Sequence, residues 1–305
     1  MINFQRLELQ TKDQYNQYLQ SCGQRGCEYS FTNLFLWGRQ KGAILGDRLA
    51  LFSQFNRKSV YPFPIGRGEL KPALDTIIAD AKERGIPCCI TSMTQEERDT
   101  LESLYPGKFR FYSDRDTYDY LYAIDDLADL KGRKYQKKRN HIHRFEENHP
   151  QAQFLPLDES TRAAAFCMLQ QWYRSREAAD PHMDFHLEKL ALERAFAFYD
   201  QLELEGLVLV DEGQVLAFTI GSRLNEKTFD VHFEKALDIA DGAYPAINQA
   251  FARYLREKYP QLRWLNREDD MGLEGLRKAK MSYSPDHMLE KHWARLWEDE
   301  DEHCQ

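Results

Sequence analysis

Nowhere in the 305-residue chain is there an uninterrupted apolar stretch of about 20 residues, the length a membrane-spanning helix needs. The opening residues, MINFQRLELQTKDQYNQYLQ, have no basic region followed by an apolar run. They do not read as a signal peptide, and a cytoplasmic protein is expected. Cysteine is sparse and unpatterned. Cys22, Cys27, Cys88, Cys89, Cys167 and Cys304 show neither C-x-x-C spacing nor the framework of a small secreted domain. Cys88 and Cys89, set between Pro87 and Ile90, read as reduced thiols on a buried strand. No P-loop, G-x-S-x-G or dinucleotide fingerprint occurs. His182, Asp184 and His186 come nearest to metal spacing, but Pro181 precedes them and no Glu takes the zincin position. They read as a surface turn, and no metal is expected. Positive charge is also short: 41 Lys and Arg against 49 Asp and Glu leave -8, which excludes a general nucleic-acid coat but not a local basic cleft.

What is present suits a soluble globular protein. Apolar residues at 42% and aromatics at 13% provide for sizeable cores, and the length fits two domains of about 150 residues each. In the first half, periodicity predicts helices over 12–20, 71–84 and 94–104, with Gly85 stopping the second. A hairpin over 43–55 turns at Gly46-Asp47, a strand covers 88–91, and strands flank a polar turn within 109–124. The segment 29–42 reads as helix or strand, and 61–68 as a loop. In the second half, helices are expected over 160–176, capped by Ser160, and over 187–203. A hairpin around Asp211-Glu212-Gly213 joins 207–210 to 215–222 and is followed by a strand over 228–233. A helix runs from 242 to 258 with Pro245 in its first turn. A strand over 262–265, a helix over 273–280 and a strand over 287–297 complete the order. Residues 298–302 are five consecutive acids and read as a disordered tail.

One stretch departs from the acidic average. LKGRKYQKKRNHIHRF, residues 130–145, carries seven Lys or Arg and two His without an acid. Tyr135, Ile142 and Phe145 recur at spacings of seven and three, so one face can pack while the rest stays cationic. As a bare charge run it is a solvated helix face. Its position between two halves of similar element order makes it a linker helix suited to an anionic partner.

This basic segment precedes DEGQVLAFTIG, TFDVHFEKAL, DGAYPAINQAF and NREDDMGLEGLRKAKMSYSP. In that order these segments resemble the family named for the C-terminal domain of bacterial phosphatidylglycerol lysyltransferase, over nearly the whole chain. That family is similar to the Fem-type peptidoglycan aminoacyltransferases, and the chain resembles its free-standing soluble branch. The resemblance implies an α+β fold of two tandem acetyltransferase-like (GNAT) domains, each a mixed central sheet flanked by helices. The expected division is an N-terminal domain over 1–128, the basic linker helix over 129–148, a C-terminal domain over 149–297 and the tail over 298–305.

Candidate site residues follow from the residues and from the resemblance together. Along a strand, Asp230, His232 and Glu234 alternate and are expected on one face, which must then border a polar cleft. His232 or Glu234 could take a proton from an attacking amine or hydroxyl. The resemblance implies that Asp230 helps to hold an aminoacyl donor. Phe233 stands where that pattern has an Arg, so lysine-specific recognition is not carried over. In acetyltransferase-like folds the donor pyrophosphate sits at a helix start, here Gly242 to Tyr244. Only Gly242 suits a phosphate cradle, Asp241 would repel the phosphate and Pro245 offers no N–H, a weakened coenzyme A site. Asn266 and Asp270 lie in a loop after a strand, leading to Arg277 and Lys280. Arg277 can fork onto a phosphate, and the resemblance places Lys280 at the transfer centre. Salt bridges to Glu268, Asp269 or Asp270 are the plainer reading of the same charges. Lys134, Lys137, Lys138 and Arg139 are the expected contacts to tRNA phosphate.

The expected activity is transfer of an acyl or aminoacyl group from an activated ester, aminoacyl-tRNA, to an amine or hydroxyl of a small-molecule, lipid or peptide acceptor. An acyl-CoA-dependent N-acyltransferase is the alternative, and a non-catalytic binding or regulatory protein the third reading. In each case no tightly bound cofactor is expected; aminoacyl-tRNA or acyl-CoA would enter as co-substrate.

Overall fold

The computed structural model describes residues 1–20, 23, 26–55, 58–180 and 184–297. Cys22, His182, Cys304 and the acidic tail lie outside the described residues. The chain forms two compact units. The first holds Met1–Asp119, Asp269–Gly272 and a segment from Leu289 onward; the second holds Tyr120–Glu268 and Leu273–Met288.

In the first unit, β1 (Gln5–Arg6), α1 (Lys12–Leu19), α2 (Phe31–Trp37), β2 (Gln40–Leu45), β3 (Arg48–Phe55), β4 (Lys58–Pro62) and β5 (Ile65–Gly66) lead to α3 (Leu70–Arg84), β6 (Cys89–Met93), α4 (Gln95–Leu104) and β7 (Phe109–Ser113). The segment that reads as helix or strand is helical because Ser30 caps it and Gly38 ends it in the left-handed region. Thr94 and Glu97 close a capping box on α4, and Gly85 terminates α3 as its sequence predicts. Tyr61, Leu74, Ile77, Ile90 and Leu101 anchor the core. Burial pushes the Cys88 thiol up to about 12, in keeping with a reduced core residue.

The second unit begins on β8 (Asp119–Ala123) and continues through α5 (Ile124–Asp129), α6 (Gln136–Asn148), β9 (Gln153–Pro156), α7 (Glu159–Ala179) and α8 (His186–Ala197). The hairpin β10 (Glu205–Asp211) and β11 (Gln214–Arg223) precedes β12 (Thr228–Ala236), α9 (Ala243–Lys258), β13 (Trp264–Asn266), α10 (Glu274–Met281) and β14 (His287–Leu289). Glu212 and Gly213 both take positive φ, the requirement of the tight hairpin turn. Asp158, rather than Ser160, caps α7: its side chain accepts the Ser160 N–H at 2.9 Å. The sheet order is β14-β8-β13-β12-β11-β10-β9, and only β12 with β13 is parallel among the pairings described for it.

The residues expected to form one last strand divide into β14 and β15 (His292–Leu296). β15 lies in the sheet of the first unit, ordered β1-β2-β3-β4-β6-β15-β7 with β5 on β3. The strands within 109–124 likewise part, β7 to one sheet and β8 to the other. The resulting units differ from the expected division at 128 and 148, because pairing of distant strands, not chain order, sets them. The basic helix α6 belongs inside the second unit.

Tyr135, Ile142 and Phe145 are buried in one core with Ile247, Phe251 and Leu255 of α9, the face their spacing predicts. Gly242 lets α6 approach α9. At φ +91, an added Cβ there would overlap the His141 carbonyl oxygen and lie 2.9 Å from Phe145 Cβ. Gly242→Ala combines a strained backbone with a clash and is expected to cost about 2–3 kcal/mol. Urea unfolding checks this, and a loss below about half a kcal/mol would contradict the close packing.

Candidate functional site

The site grows from an irregularity in β12. Its pairing with β11 matches Phe233 to Ile220 and then Val231 to Gly221, leaving His232 as an extra, bulged residue. Gly221 is needed opposite: a Cβ there would overlap the Asp230 carbonyl oxygen and the Phe229 ring. The bulge reverses the alternation of side chains. Phe229 and Val231 before it, and Ala236 after it, all face the α9 core. Asp230 and Glu234 therefore point to opposite faces, and the expectation of one shared face for Asp230, His232 and Glu234 fails. A single inserted residue is the reason.

On one side, His232 Nδ1 lies 3.5 Å from Asp230 Oδ2 and 3.2 Å from Glu268 Oε1, while Nε2 meets Ser222 Oγ at 2.9 Å. The Asp230 side chain is fully buried and that of His232 is 1% exposed, so neither is a surface group. These three ligand atoms are spaced as metal ligands can be, and of them His232 Nδ1 and Glu268 Oε1 are directly hydrogen-bonded. The two ring nitrogens fix the imidazole between Ser222 and Glu268. Glu268 has φ +56, and its N–H is accepted by Asn266 Oδ1 at 2.7 Å. Asn266 is thus a buried turn-former and not a group directed at a ligand. Lys280, also buried, donates to the Arg267 carbonyl and lies 5.7 Å from the centre of the Tyr120 ring.

On the other side, β12 and β13 pair only from Thr228 to Asp230, so the strands separate beyond that point. Glu234 projects where they part. Its Oε2 accepts from Asn248 Nδ2 at 3.1 Å and its Oε1 from Arg267 Nη2 at 2.9 Å. The guanidinium carbon of Arg267 lies 4.9 Å from the Tyr283 ring centre and 5.7 Å from that of Tyr122. Burial works against this cation, but Glu234 together with the phenols of Tyr122, Tyr283 and Tyr244 more than restores it. Two polar atoms here stay unmatched among the described residues: Arg267 Nη1, a donor, and Asn248 Oδ1, an acceptor. Lys138 Nζ from α6 sits 3.8 Å from the Tyr283 ring centre.

The remaining candidates disperse. Gly242 is a packing glycine under α6 rather than a phosphate cradle, and Asp241 pairs with Arg144 at 2.8 Å. Tyr244 is half-buried, and burial pushes its phenol up. Asp270 belongs to the first unit, where it is fully buried and bonded to Arg115 at 2.8 Å. Arg277 is half-buried on α10. Of the four expected phosphate contacts, three are exposed and Lys138 is half-buried. Lys134 pairs with Asp126 at 2.7 Å, Arg139 donates to the carbonyls of Leu130 and Gly132, and Lys138 turns inward. Lys137 remains exposed, as does Arg133 before it. The sequence gives Arg267 no role; its place in the NREDD run just after an apolar strand was the available signal. The bulge left no signal.

A family model described as phosphatidylglycerol lysyltransferase, C-terminal, matches residues 20–295. A conserved protein of unknown function from Bacteroides thetaiotaomicron superposes with a TM-score of 0.91 at 36% identity, covering 97% of this chain and 100% of its own. L-PGS from Bacillus licheniformis gives 0.69 at 15% identity over 97% and 94% of the two chains. FemX gives 0.59 at 11% over 95% and 96%. A tandem GNAT protein from the clavulanic acid biosynthesis pathway gives 0.51 at 8% over 98% and 100%. The tandem GNAT fold is thus shared. Among curated proteins, an uncharacterised protein of Mycoplasmoides gallisepticum is 24% identical over 182 residues, 58% of this chain; the match spans about half, 56%, of that relative.

Proposed function

The chain belongs to the phosphatidylglycerol lysyltransferase C-terminal family, a family of transferases, and we propose that it transfers an aminoacyl group from aminoacyl-tRNA to an amine or hydroxyl acceptor. The observation that carries this reading is the unmatched pair beside Glu234, the donor Arg267 Nη1 and the acceptor Asn248 Oδ1. Buried polar groups without partners are costly, and a ligand that answers both repays the site. An aminoacyl ester offers both: a carbonyl for the guanidinium and an ammonium for the amide oxygen.

Attack on that ester makes a tetrahedral oxyanion. Arg267, held by Glu234 and flanked by Tyr122 and Tyr283, is a cation fixed in advance where that charge develops. Holding donor and acceptor together supplies the rest of the rate. His232, with Asp230 and Glu268, sets the turn from which Arg267 projects, which makes these positioning residues. Lys280 braces the same turn through the Arg267 carbonyl. The acyl-CoA alternative is disfavoured by the start of α9: Gly242 lies beneath α6 and Asp241 adds a negative charge.

Filter binding of charged tRNA tests the donor. Wild type should bind with strong salt dependence, and Arg133→Ala with Lys137→Ala should lower the log–log salt slope by about two. Arg139 is left intact because it secures the carbonyls after α5. Salt-independent binding, or tight binding of coenzyme A in a parallel titration, would overturn the proposal.

A further inference from the structure

The basic helix does not present all its lysines to one partner. Lys137 faces solvent, whereas Lys138, the next residue, is half-buried against Tyr283. Of the titratable groups near the separated strands, Asp230 lies on the opposite face of β12 from Glu234, and His232 is engaged by Ser222 and Glu268. Glu234 gives one oxygen to Asn248 and the other to Arg267. Lys138 has an aromatic face, and no carboxylate within bonding distance, beside its amine among the described residues.

We propose that Lys138 is the proton-transfer residue of this site, a role that rests on the transfer reading above. Its neutral amine accepts the proton of the attacking amine or hydroxyl as the new bond to the ester carbon forms. The resulting ammonium returns that proton to the tRNA ribose oxygen as the ester C–O bond breaks. Acceptor and charged tRNA become aminoacyl product and free tRNA, and Lys138 ends neutral as it began.

The surroundings favour the neutral form the step needs. Burial, assisted by the Arg267 cation and opposed by Glu234 on β12, lowers the Lys138 ammonium to about 8. Tyr283, which follows α10, contributes its ring face, and burial keeps its phenol protonated. From the side of α9, Asp241 directs its charge to His141 and Arg144 instead. Lowering an ammonium makes the base available at a milder pH, so transfer should rise as pH increases through about 8 and fall below it.

The test is single-turnover transfer from charged tRNA to hydroxylamine, whose own ionisation lies below the range scanned. Wild type should gain roughly tenfold per pH unit below the midpoint. Lys138→Arg keeps a cation over Tyr283 but cannot lose its proton. It should be about a hundredfold slower, with no rising limb and tRNA retention within about twofold of wild type. A variant with the wild-type rate and profile would overturn the role. If wild type transfers nothing, the proposed function has failed, and an isotope-labelled methylation titration by NMR decides on Lys138 itself. A Lys138 signal titrating with the ordinary lysines overturns the role, and one titrating about two units lower upholds it.

Discussion

Lys291→Met is expected to destabilise the first unit by about 3–5 kcal/mol. The Lys291 ammonium lies 2.7 Å from Asp119 Oδ1 and 2.8 Å from Glu28 Oε2, with Asp119 fully buried. The other Asp119 oxygen accepts the Cys27 N–H at 2.7 Å. Burial alone would push this lysine down, yet Asp119, Glu28 and Cys27 carry it well above its usual range. Methionine fills the same volume but leaves two carboxylates facing each other in a dry space. Against a total stability of about 5–15 kcal/mol the loss is large. Because removing one partner costs more than removing both, Lys291→Met with Asp119→Asn should recover part of it. Urea denaturation of the two variants measures the difference. A loss under about 1 kcal/mol in the single variant would contradict the buried ion pair.

Arg267→Met should lower single-turnover transfer by about a hundredfold to a thousandfold, the range seen when a fixed donor to an oxyanion is removed. The affinity for tRNA should hardly change, because the proposed phosphate contacts are Arg133 and Lys137 and not Arg267. Arg267→Lys is the sharper variant. It keeps the charge but loses the planar fork that reaches Glu234 and the unmatched Nη1 direction together. It should therefore recover only a minor part of the rate. Equal rates for Arg267→Lys and wild type would reduce the guanidinium to a local charge partner for Glu234.

Much of the fold is legible because local chemistry decides it. Glu97 answers Thr94, Gly85 stops α3, and Tyr135, Ile142 and Phe145 mark the packed face of α6. What escapes is set over distance. No local pattern divides His287–Leu289 from His292–Leu296 between two sheets; their strand partners do. The site was legible in its materials but not in its arrangement. Glu234 and Lys138 stand in view in the sequence, yet the bulge at His232 turns Glu234 away from Asp230, and helix packing turns Lys138 away from Lys137. Gly242 shows the same limit. Glycine before a helix suits a phosphate, and here it suits a neighbouring helix.

The most direct measurement is the fate of a radiolabelled aminoacyl group on tRNA, mixed with excess protein and hydroxylamine in a single turnover. Wild type should remove the label from tRNA well above spontaneous hydrolysis, and Arg267→Met should return it close to that background. Label lost equally with both proteins, or with neither, would contradict a transfer site built between β12 and β13.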